Sequence, residues 1–174
     1  MKNIGILGST GSIGIQALDV IKNFPDNFKV EYLTANENIN KLAEQTLIFK
    51  PNTICIVNSN KKEKLESLLK NTEVTILSGR EGLLEIASQN NLDLAINALV
   101  GAAGMEPTIE VIKNGTDIAL SNKESMVMAG EIINNLLSKN SCKLFPVDSE
   151  HSAIWQCLQG EKYEQIEKII LTAS

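Results

Sequence analysis

Cysteine, histidine and aromatic residues are all scarce in this sequence of 174 residues. The three cysteines, Cys55, Cys142 and Cys157, are odd in number and lack a CxxC spacing, which argues against a disulfide framework or a zinc ribbon. This usage favours a reducing compartment, so we expect a cytoplasmic protein. Aromatic residues make up only 4% of the chain, too few for the stacking platforms that hold nucleic-acid bases.

Long apolar runs and blocks of like charge are also missing. No stretch approaches the roughly 18 apolar residues of a membrane span, and the first apolar run is broken at Gly5 and Gly8, too early for a signal peptide. The 16 basic and 21 acidic residues give a net charge of −5 without a basic block, so neither a membrane nor a nucleic acid is expected as a partner. A hydrophobic fraction of 43% is typical of a globular protein with a substantial core.

Short apolar segments with strand character alternate with segments of helical length and period. Strands are predicted at 3–7, 29–34, 53–57, 74–77, 92–99, 117–120 and 143–147. Helices are predicted at 13–23, 39–50, 61–70, 82–89, 107–114 and 124–139. Because the strands are continuously apolar rather than alternating, both faces of the sheet should be covered by helices. The pattern therefore predicts an α/β fold with a doubly wound, Rossmann-like parallel sheet.

The main domain boundary is predicted near Pro146. Residues 1–146 would form a nucleotide-binding domain, and residues 147–174 would begin a second α/β catalytic domain, with a helix at 150–158 and a strand at 166–172. These last residues are too few to close a core of their own. We therefore expect the second domain to be incomplete in this chain.

A glycine-rich turn, GSTGSIG at 8–14, lies between the first strand and the first helix. Gly8 would make the tight turn, Gly11 would let a pyrophosphate approach the backbone, and Gly14 would let helix and strand pack closely. The hydroxyls of Ser9, Thr10 and Ser12 would add donors. The spacing GxxGxxG differs from the usual GxGxxG, and the alternative is a turn whose glycines serve only backbone geometry. The strand-turn-helix context favours dinucleotide binding.

The end of the second strand carries Asn36, Glu37 and Asn38, where dinucleotide folds choose between NAD and NADP. Glu37 would normally bind a ribose 2′-hydroxyl and repel a 2′-phosphate, which favours NAD. Alternatively, Asn36 and Asn38 donate to a phosphate while Glu37 turns outward. A plain solvated loop is the third interpretation.

Two further motifs follow predicted strands. In the first, SNKE at 121–124, Ser121 and Glu124 fit a capping box. The functional alternative places Asn122 and a buried, phosphate-binding Lys123 at the carboxyl edge of the sheet, where doubly wound folds bind ligands.

The second motif is PVDSEHS at 146–152, in which Asp148 and Glu150 are spaced to share a hard divalent cation. A third protein ligand is expected, but the sequence offers no obvious candidate. As an alternative, Asp148 or Ser149 caps the following helix. We expect His151 to be supporting structure, and Cys157 to be a buried structural thiol on the apolar side of that helix.

Together with LVGAAG at 99–104, these motifs resemble one enzyme family. GSTGSIG at 8–14, SNKES at 121–125 and PVDSEHSAIWQCL at 146–158 are similar, in order and separation, to the 1-deoxy-D-xylulose 5-phosphate reductoisomerase family. The resemblance implies NADPH and Mg²⁺ or Mn²⁺ as cofactors. It also implies conversion of 1-deoxy-D-xylulose 5-phosphate into 2-C-methyl-D-erythritol 4-phosphate in the non-mevalonate route to isoprenoids, with a carbon-skeleton rearrangement before hydride transfer.

The resemblance also implies roles for individual residues. NADPH would be bound by Thr10, Gly11, Ser12, Ile13, Asn36, Asn38, Asn122 and Glu124. The metal would be held by Asp148 and Glu150, and the sugar phosphate by Lys123, Ser149, Glu150 and Ser174, with Lys123 and Glu150 as the catalytic pair. The full-length protein would be a homodimer. All of this requires the two carboxylates to face the cleft beside the glycine turn.

Two departures from the family pattern qualify these expectations. The family commonly has a glycine and a basic residue where this chain has Asn36 and Glu37, and it continues well beyond Ser174. We therefore expect the 174 residues alone to bind cofactor without turnover. Another two-domain NAD(P)-dependent oxidoreductase, or a non-enzymatic dinucleotide-sensing module, would explain the glycine turn but would not require both later motifs.

Overall fold

A computed structural model describes residues 1–170. The strands are β1 (Lys2–Leu7), β2 (Phe28–Ala35), β3 (Thr53–Ile56), β4 (Thr75–Ser78), β5 (Leu94–Asn97), β6 (Asp117–Leu120) and β7 (Leu144–Pro146). The helices are α1 (Ser12–Asn23), α2 (Ile39–Phe49), α3 (Lys62–Leu68), α4 (Gly79–Ala87), α5 (Met105–Lys113), α6 (Lys123–Asn140) and α7 (Ser149–Cys157). Short 3₁₀ turns lie at Ser59–Lys61, Gly101–Gly104 and Tyr163–Gln165. None of the helices within residues 1–170 has the length and apolar content needed to cross a bilayer.

The seven strands form one sheet in the order β4-β3-β2-β1-β5-β6-β7, and every pairing is parallel. The predicted doubly wound sheet is therefore confirmed. The strand order reverses at β1, which pairs with β2 on one side and with β5 on the other. A crevice opens at such a reversal, at the carboxyl ends of the strands, and ligands of doubly wound folds bind there.

Two apolar clusters hold the helices on the sheet, one on each face. The first includes Ile4, Leu33 and Leu42, and the second includes Leu7 and Ile118; all five are at most 2% exposed. Burial on both faces explains why the strands read as continuous apolar runs rather than alternating ones.

The predicted strand at 166–172 is wrong for the residues that the structure describes. Residues 166–170 adopt no regular structure, and Ile169 and Ile170 are exposed. Their apolar, β-branched character resembles that of a strand, but a strand also needs a neighbour with which to form hydrogen bonds. The remaining predicted residues, 171 and 172, lie outside the described part of the chain. The helix predicted at 150–158 is confirmed as α7, whereas the domain boundary after Pro146 stays a prediction.

Candidate active site

A cleft of about 460 Å³ lies at the carboxyl edge of the sheet. Four segments line it: the glycine turn after β1, the loop after β5, the start of α6 after β6, and residues 147–150 after β7. The cleft thus brings Gly11, Ser12 and Ile13 together with Lys123 and Glu124, and with the lining residues Asp148, Ser149 and Glu150. The requirement that the acidic pair share a cleft with the glycine turn is met.

The glycine turn has the geometry expected for its first and third glycines. Gly8 has a φ of +86°, a conformation that L side chains rarely adopt. A Cβ at Gly14 would collide with the carbonyl oxygen of Gly8 and lie 2.6 Å from Cα of Ser9. A Cβ at Gly11 would meet only the Gly8 oxygen, at 3.5 Å, which is ordinary contact. The fold therefore has room for a side chain at 11, and a ligand against the backbone explains the glycine there better than packing does.

The amino end of α1 is free of side-chain caps. Gly11 is its N-cap and no side chain accepts a hydrogen bond from the first turn. Uncapped N–H groups and the positive end of the helix dipole attract anions, phosphates above all. The turn therefore fits the pyrophosphate of a dinucleotide.

Buried hydrogen bonds clamp the turn from behind. The Oγ of Ser9 donates to Oε1 of Gln45 at 2.7 Å, and Nε2 of Gln45 donates to the Ser9 carbonyl at 2.8 Å. The N–H of Gly8 donates to Oγ1 of Thr34 at 2.8 Å. Ser9 is fully buried, so its hydroxyl faces the protein, and the expectation that it would be a donor for the ligand is wrong. Sequence reasoning missed Gln45, although a polar residue among the buried positions of α2 is a visible signal.

Residues 36–38 lie at the end of β2, outside this cleft. The side chain of Asn38 caps α2 by accepting from the N–H of Lys41 at 3.1 Å, while Asn36 is exposed. Glu37 accepts from Nδ2 of Asn58 at 2.8 Å and pairs with Nζ of Lys61 at 2.5 Å. The Lys61 hydrogen bond, with a smaller contribution from Asn58, lowers the pKa of the Glu37 carboxyl.

Glu37 turns away from the glycine turn. Asn58 and Lys61 both follow β3, which pairs with β2 on the side opposite β1. Of the three interpretations of this segment, the geometry agrees with the one in which Glu37 faces outward.

The capping-box interpretation of residues 121–124 is wrong. The N-cap of α6 is Asn122, whose Oδ1 accepts from the N–H of Ser125 at 2.9 Å, and the Oγ of Ser121 instead donates to the carbonyl of Asn97 at 3.1 Å. Asparagine is at least as good an N-cap as serine, so the helix begins one residue later than a Ser121 cap would place it.

Two buried asparagines fix the loop that follows β5. Asn122 donates from Nδ2 to the carbonyls of Leu99 and Gly101 at 2.8 and 2.7 Å. Asn97 donates to the carbonyl of Gly104 at 2.9 Å and accepts from the N–H of Leu99 at 3.1 Å. The loop presents Val100, 88% exposed, on the cleft wall. Asn122 is 1% exposed, and both Nδ2 and Oδ1 of its side chain are hydrogen-bonded within the protein. Its contact with a cofactor stays a prediction.

Lys123 and Glu150 link α6 to α7 across the cleft. The Lys123 Nζ lies 3.9 Å from an Oε2 of Glu150, and both side chains are about half exposed. The expectation of a buried lysine is therefore wrong: Lys123 lies one residue beyond the buried N-cap, where the first helical turn faces the cleft. An exposed ammonium beside a carboxylate is free to exchange that partner for an anionic ligand.

Asp148 is bound to His151 at the start of α7. Its Oδ1 accepts from the N–H of His151 at 2.9 Å, which makes it the N-cap of α7, and the ring Nδ1 of His151 lies 2.6 Å from its Oδ2. Partial burial alone would raise the pKa of Asp148, but the His151 hydrogen bonds and the positive charge of Lys123 lower it overall. The ionised form of the Asp148 carboxylate is therefore favoured, and His151 is its hydrogen-bond partner.

The donor set fits a hard divalent cation only in part. Asp148 and Glu150 supply carboxylate oxygens on one side of the cleft, the ligand type that Mg²⁺ and Mn²⁺ prefer. Within residues 1–170, no group of three or more histidine, cysteine or acidic side chains is arranged to hold a metal ion. Two carboxylates leave room in the coordination sphere for water and for substrate oxygens.

Some predicted residues lie elsewhere. Thr10 is half-buried in the glycine turn but does not line the cleft, and Ser174 lies outside the described residues. Cys157 is exposed, so the expectation of a buried thiol is wrong: α7 has no buried residue at all. A short helix at the sheet edge has too little protein around it to enclose its apolar side.

Comparisons with known proteins agree with this geometry. Residues 4–130 match the family model of 1-deoxy-D-xylulose 5-phosphate reductoisomerase, and residues 144–174 match that of its C-terminal domain. The reductoisomerase of Chloroherpeton thalassium is 51% identical to this chain, and the matched region covers 100% of this chain and 45% of that relative. The chain thus spans about half the length of the curated relatives it matches.

Solved structures of the same enzyme superpose closely. The reductoisomerase of Zymomonas mobilis in complex with NADPH has a TM-score of 0.86 and 35% identity, covering 90% of this chain and 41% of that one. A DOX-P reductoisomerase in complex with NADPH, fosmidomycin and magnesium has a TM-score of 0.87 and 36% identity, covering 92% and 41%. From the turn after β1 to the acidic pair after β7, the chain belongs to the 1-deoxy-D-xylulose 5-phosphate reductoisomerase family.

Proposed function

We propose that this chain provides the NADPH-binding domain, and the start of the catalytic domain, of an enzyme that converts 1-deoxy-D-xylulose 5-phosphate into 2-C-methyl-D-erythritol 4-phosphate in isoprenoid biosynthesis. The observation that carries the proposal is the shared cleft: the dinucleotide turn and the carboxylate pair line one cavity. Family membership favours this function over another NAD(P)-dependent oxidoreductase and over a dinucleotide sensor.

NADPH would lie with its pyrophosphate on the turn formed by Thr10, Gly11, Ser12 and Ile13. Asn36 and Asn38 would be near the adenosine phosphate, since they follow the end of the neighbouring strand β2. The nicotinamide would then extend into the cleft toward Glu124 and the loop held by Asn122. Similar structures have been solved in complex with NADPH, which supports NADPH as the cofactor.

Asp148 and Glu150 would hold Mg²⁺ or Mn²⁺, which when bound supplies polarisation of the substrate ketone and its neighbouring hydroxyl. Lys123 would leave its pairing with Glu150 and bind substrate oxygens, so that binding energy fixes the pose of the reacting carbons. Ser149, between the two carboxylates, would donate a hydrogen bond to the sugar phosphate. Ser174 would be a further substrate contact.

Several wider statements belong to the same proposal. Residues 1–146 and 147–174 would be parts of two domains, the whole protein would be a homodimer, and the location would be cytoplasmic. The 174 residues alone would bind NADPH without turnover, because residues 1–170 hold no complete set of metal ligands.

The proposal is tested by binding and by turnover. NADPH should raise the melting temperature of the 174-residue chain, because a ligand that binds only the folded state stabilises it. In a protein that joins these residues to the remainder present in its relatives, NADPH oxidation should require both the sugar phosphate and Mg²⁺ or Mn²⁺.

Asp148→Asn should lower that turnover by about 100-fold or more, beyond the loss typical of an outer partner of a metal ligand. Asp19→Asn is the matched control and should leave turnover unchanged, because Asp19 is exposed on α1 and does not line the cleft. Turnover that survives removal of all divalent metal would contradict the proposal.

A further inference from the structure

Glu37 lies at the position where dinucleotide folds recognise the ribose 2′-group, and Lys61, which follows another strand, is paired with it. Lys61 lies in the 3₁₀ turn after β3, Glu37 in the loop after β2. Nζ of Lys61 lies 2.5 Å from Oε2 of Glu37 and donates to the Glu37 carbonyl at 3.0 Å. The ammonium is thus held against the backbone of this loop as well as against the side chain.

These contacts cancel the usual effect of an acidic residue here. A free carboxylate would accept from a 2′-hydroxyl and repel a 2′-phosphate. Glu37 is instead held toward β3 by both Asn58 and Lys61, and its charge is balanced within hydrogen-bond distance. The loop therefore presents no net negative charge to a ligand at the end of β2.

Lys61 also keeps capacity for a ligand. An ammonium group has three donors, and two of its bonds go to Glu37. The side chain is 37% exposed, so a ligand at the carboxyl edge of the sheet can reach it. Asn36, exposed in the same loop, adds an amide.

We propose that Lys61 is the specificity-determining residue that makes this chain prefer NADPH to NADH, by placing its ammonium against the 2′-phosphate in place of a basic residue at position 37. The inference rests on the proposed function, because it needs NADPH to be bound with its adenosine half at the end of β2. It assigns the preference to a residue 24 positions away in sequence from the usual one.

The test compares dissociation constants for NADPH and NADH, measured by titration of the 174-residue chain. Lys61→Met should weaken NADPH binding by about tenfold, the loss expected when a charge-assisted bond to phosphate disappears, and change NADH binding less than about twofold. Lys61→Arg should restore most of the preference. Lys62→Met is the matched control, because Lys62 pairs with Glu66 within α3 and should leave both constants unchanged.

Glu37→Gln gives an independent readout with the lysine intact. Releasing Lys61 from its carboxylate should tighten NADPH binding and leave NADH binding unchanged. Weaker NADH binding in this variant would show that Glu37 faces the ribose and would overturn the inference.

Equal effects of Lys61→Met on both cofactors, or no effect on either, would also overturn the inference while leaving the proposed function intact. If the unaltered chain binds neither cofactor, the proposed function fails, and the inference fails with it. Melting temperatures of all four variants, measured without ligand, separate loss of binding from loss of folding.

Discussion

At the scale of single residues, Gly11 and Gly14 lack side chains for different reasons. Gly14 packs so closely on the turn that a Cβ would collide with backbone atoms of residues 8 and 9, which cannot move without opening the turn. Gly11 has an ordinary extended backbone, with φ −79° and ψ 172°, and free space around its Cα. The fold itself requires Gly14, whereas Gly11 is required only by the proposed ligand.

Alanine substitutions should therefore separate stability from binding. Gly14→Ala should lower the free energy of unfolding by about 1–3 kcal/mol, the usual cost of overpacking. Gly11→Ala should lower it by no more than about 1 kcal/mol, the cost of alanine at an N-cap, but should weaken NADPH binding. Urea unfolding and NADPH titration of both variants provide the measurements. A destabilised Gly11→Ala chain with unchanged affinity would mean that packing, rather than a ligand, requires the glycine.

At the scale of elements, the glycine turn is supported by α2, whose Gln45 lies 36 residues from Ser9 in the sequence. In the interior, the Gln45 side chain accepts from the Ser9 hydroxyl and donates to the Ser9 carbonyl, and the Thr34 carbonyl of β2 accepts from the same hydroxyl. Buried polar groups of this kind stabilise a structure only when all of them have partners. Removing one leaves another without a partner.

Gln45→Leu should lower the free energy of unfolding by roughly 1–3 kcal/mol, because the buried Ser9 carbonyl loses its Gln45 donor and the Ser9 hydroxyl keeps only its longer bond, 3.2 Å, to the Thr34 carbonyl. NADPH affinity should also fall, since the turn loses its support. Glu44→Leu is the control and should cost much less, because Glu44 is exposed and pairs with the partly exposed Lys41. Chemical denaturation with and without NADPH measures both effects. Equal losses in the two variants would refute the role of the clamp.

The elements themselves were largely predictable from the sequence. All seven strands of the sheet coincide with predicted apolar runs, because the inner strands are covered by helices on both faces and are apolar at most positions. The failure at 166–170 has the opposite cause: those residues have the composition of a strand, but pairing depends on a neighbour that local pattern does not reveal.

The site was predictable to a lesser degree. Gly11, Lys123, Asp148 and Glu150 could be singled out because each follows a predicted strand, and parallel strands end at one edge. Gln45 and Lys61 were missed because their partners, Ser9 and Glu37, come from distant segments, and no spacing in the chain indicates such contacts.

At the scale of the whole molecule, the segment after β7 packs on the sheet with little buried surface, and one of its contacts is an aromatic pair. Trp155 packs edge-on against Phe145 with ring centroids 6.0 Å apart, and α7 contributes no buried residue. Little apolar area is lost when such a helix detaches, so its local stability should be well below that of the core.

Trp155 is the single tryptophan of the chain and reports this directly. In urea, its fluorescence should change at a lower concentration than the far-ultraviolet circular dichroism, which follows all helices. Phe145→Leu should move only the fluorescence transition. Coincident transitions in the unaltered chain would contradict the proposed division after Pro146, because the two parts would then unfold as one.

The strand order sets a sequence of assembly during synthesis. The glycine turn is complete once β1, β2 and α2 have left the ribosome, whereas the acidic pair follows β7, which within residues 1–170 is both the last strand and an edge of the sheet. In a nascent chain the glycine turn would therefore form early, and the acidic pair would be positioned only after the other six strands of this sheet have docked. Shortening the chain before β7 would remove the acidic pair and leave the glycine turn in place.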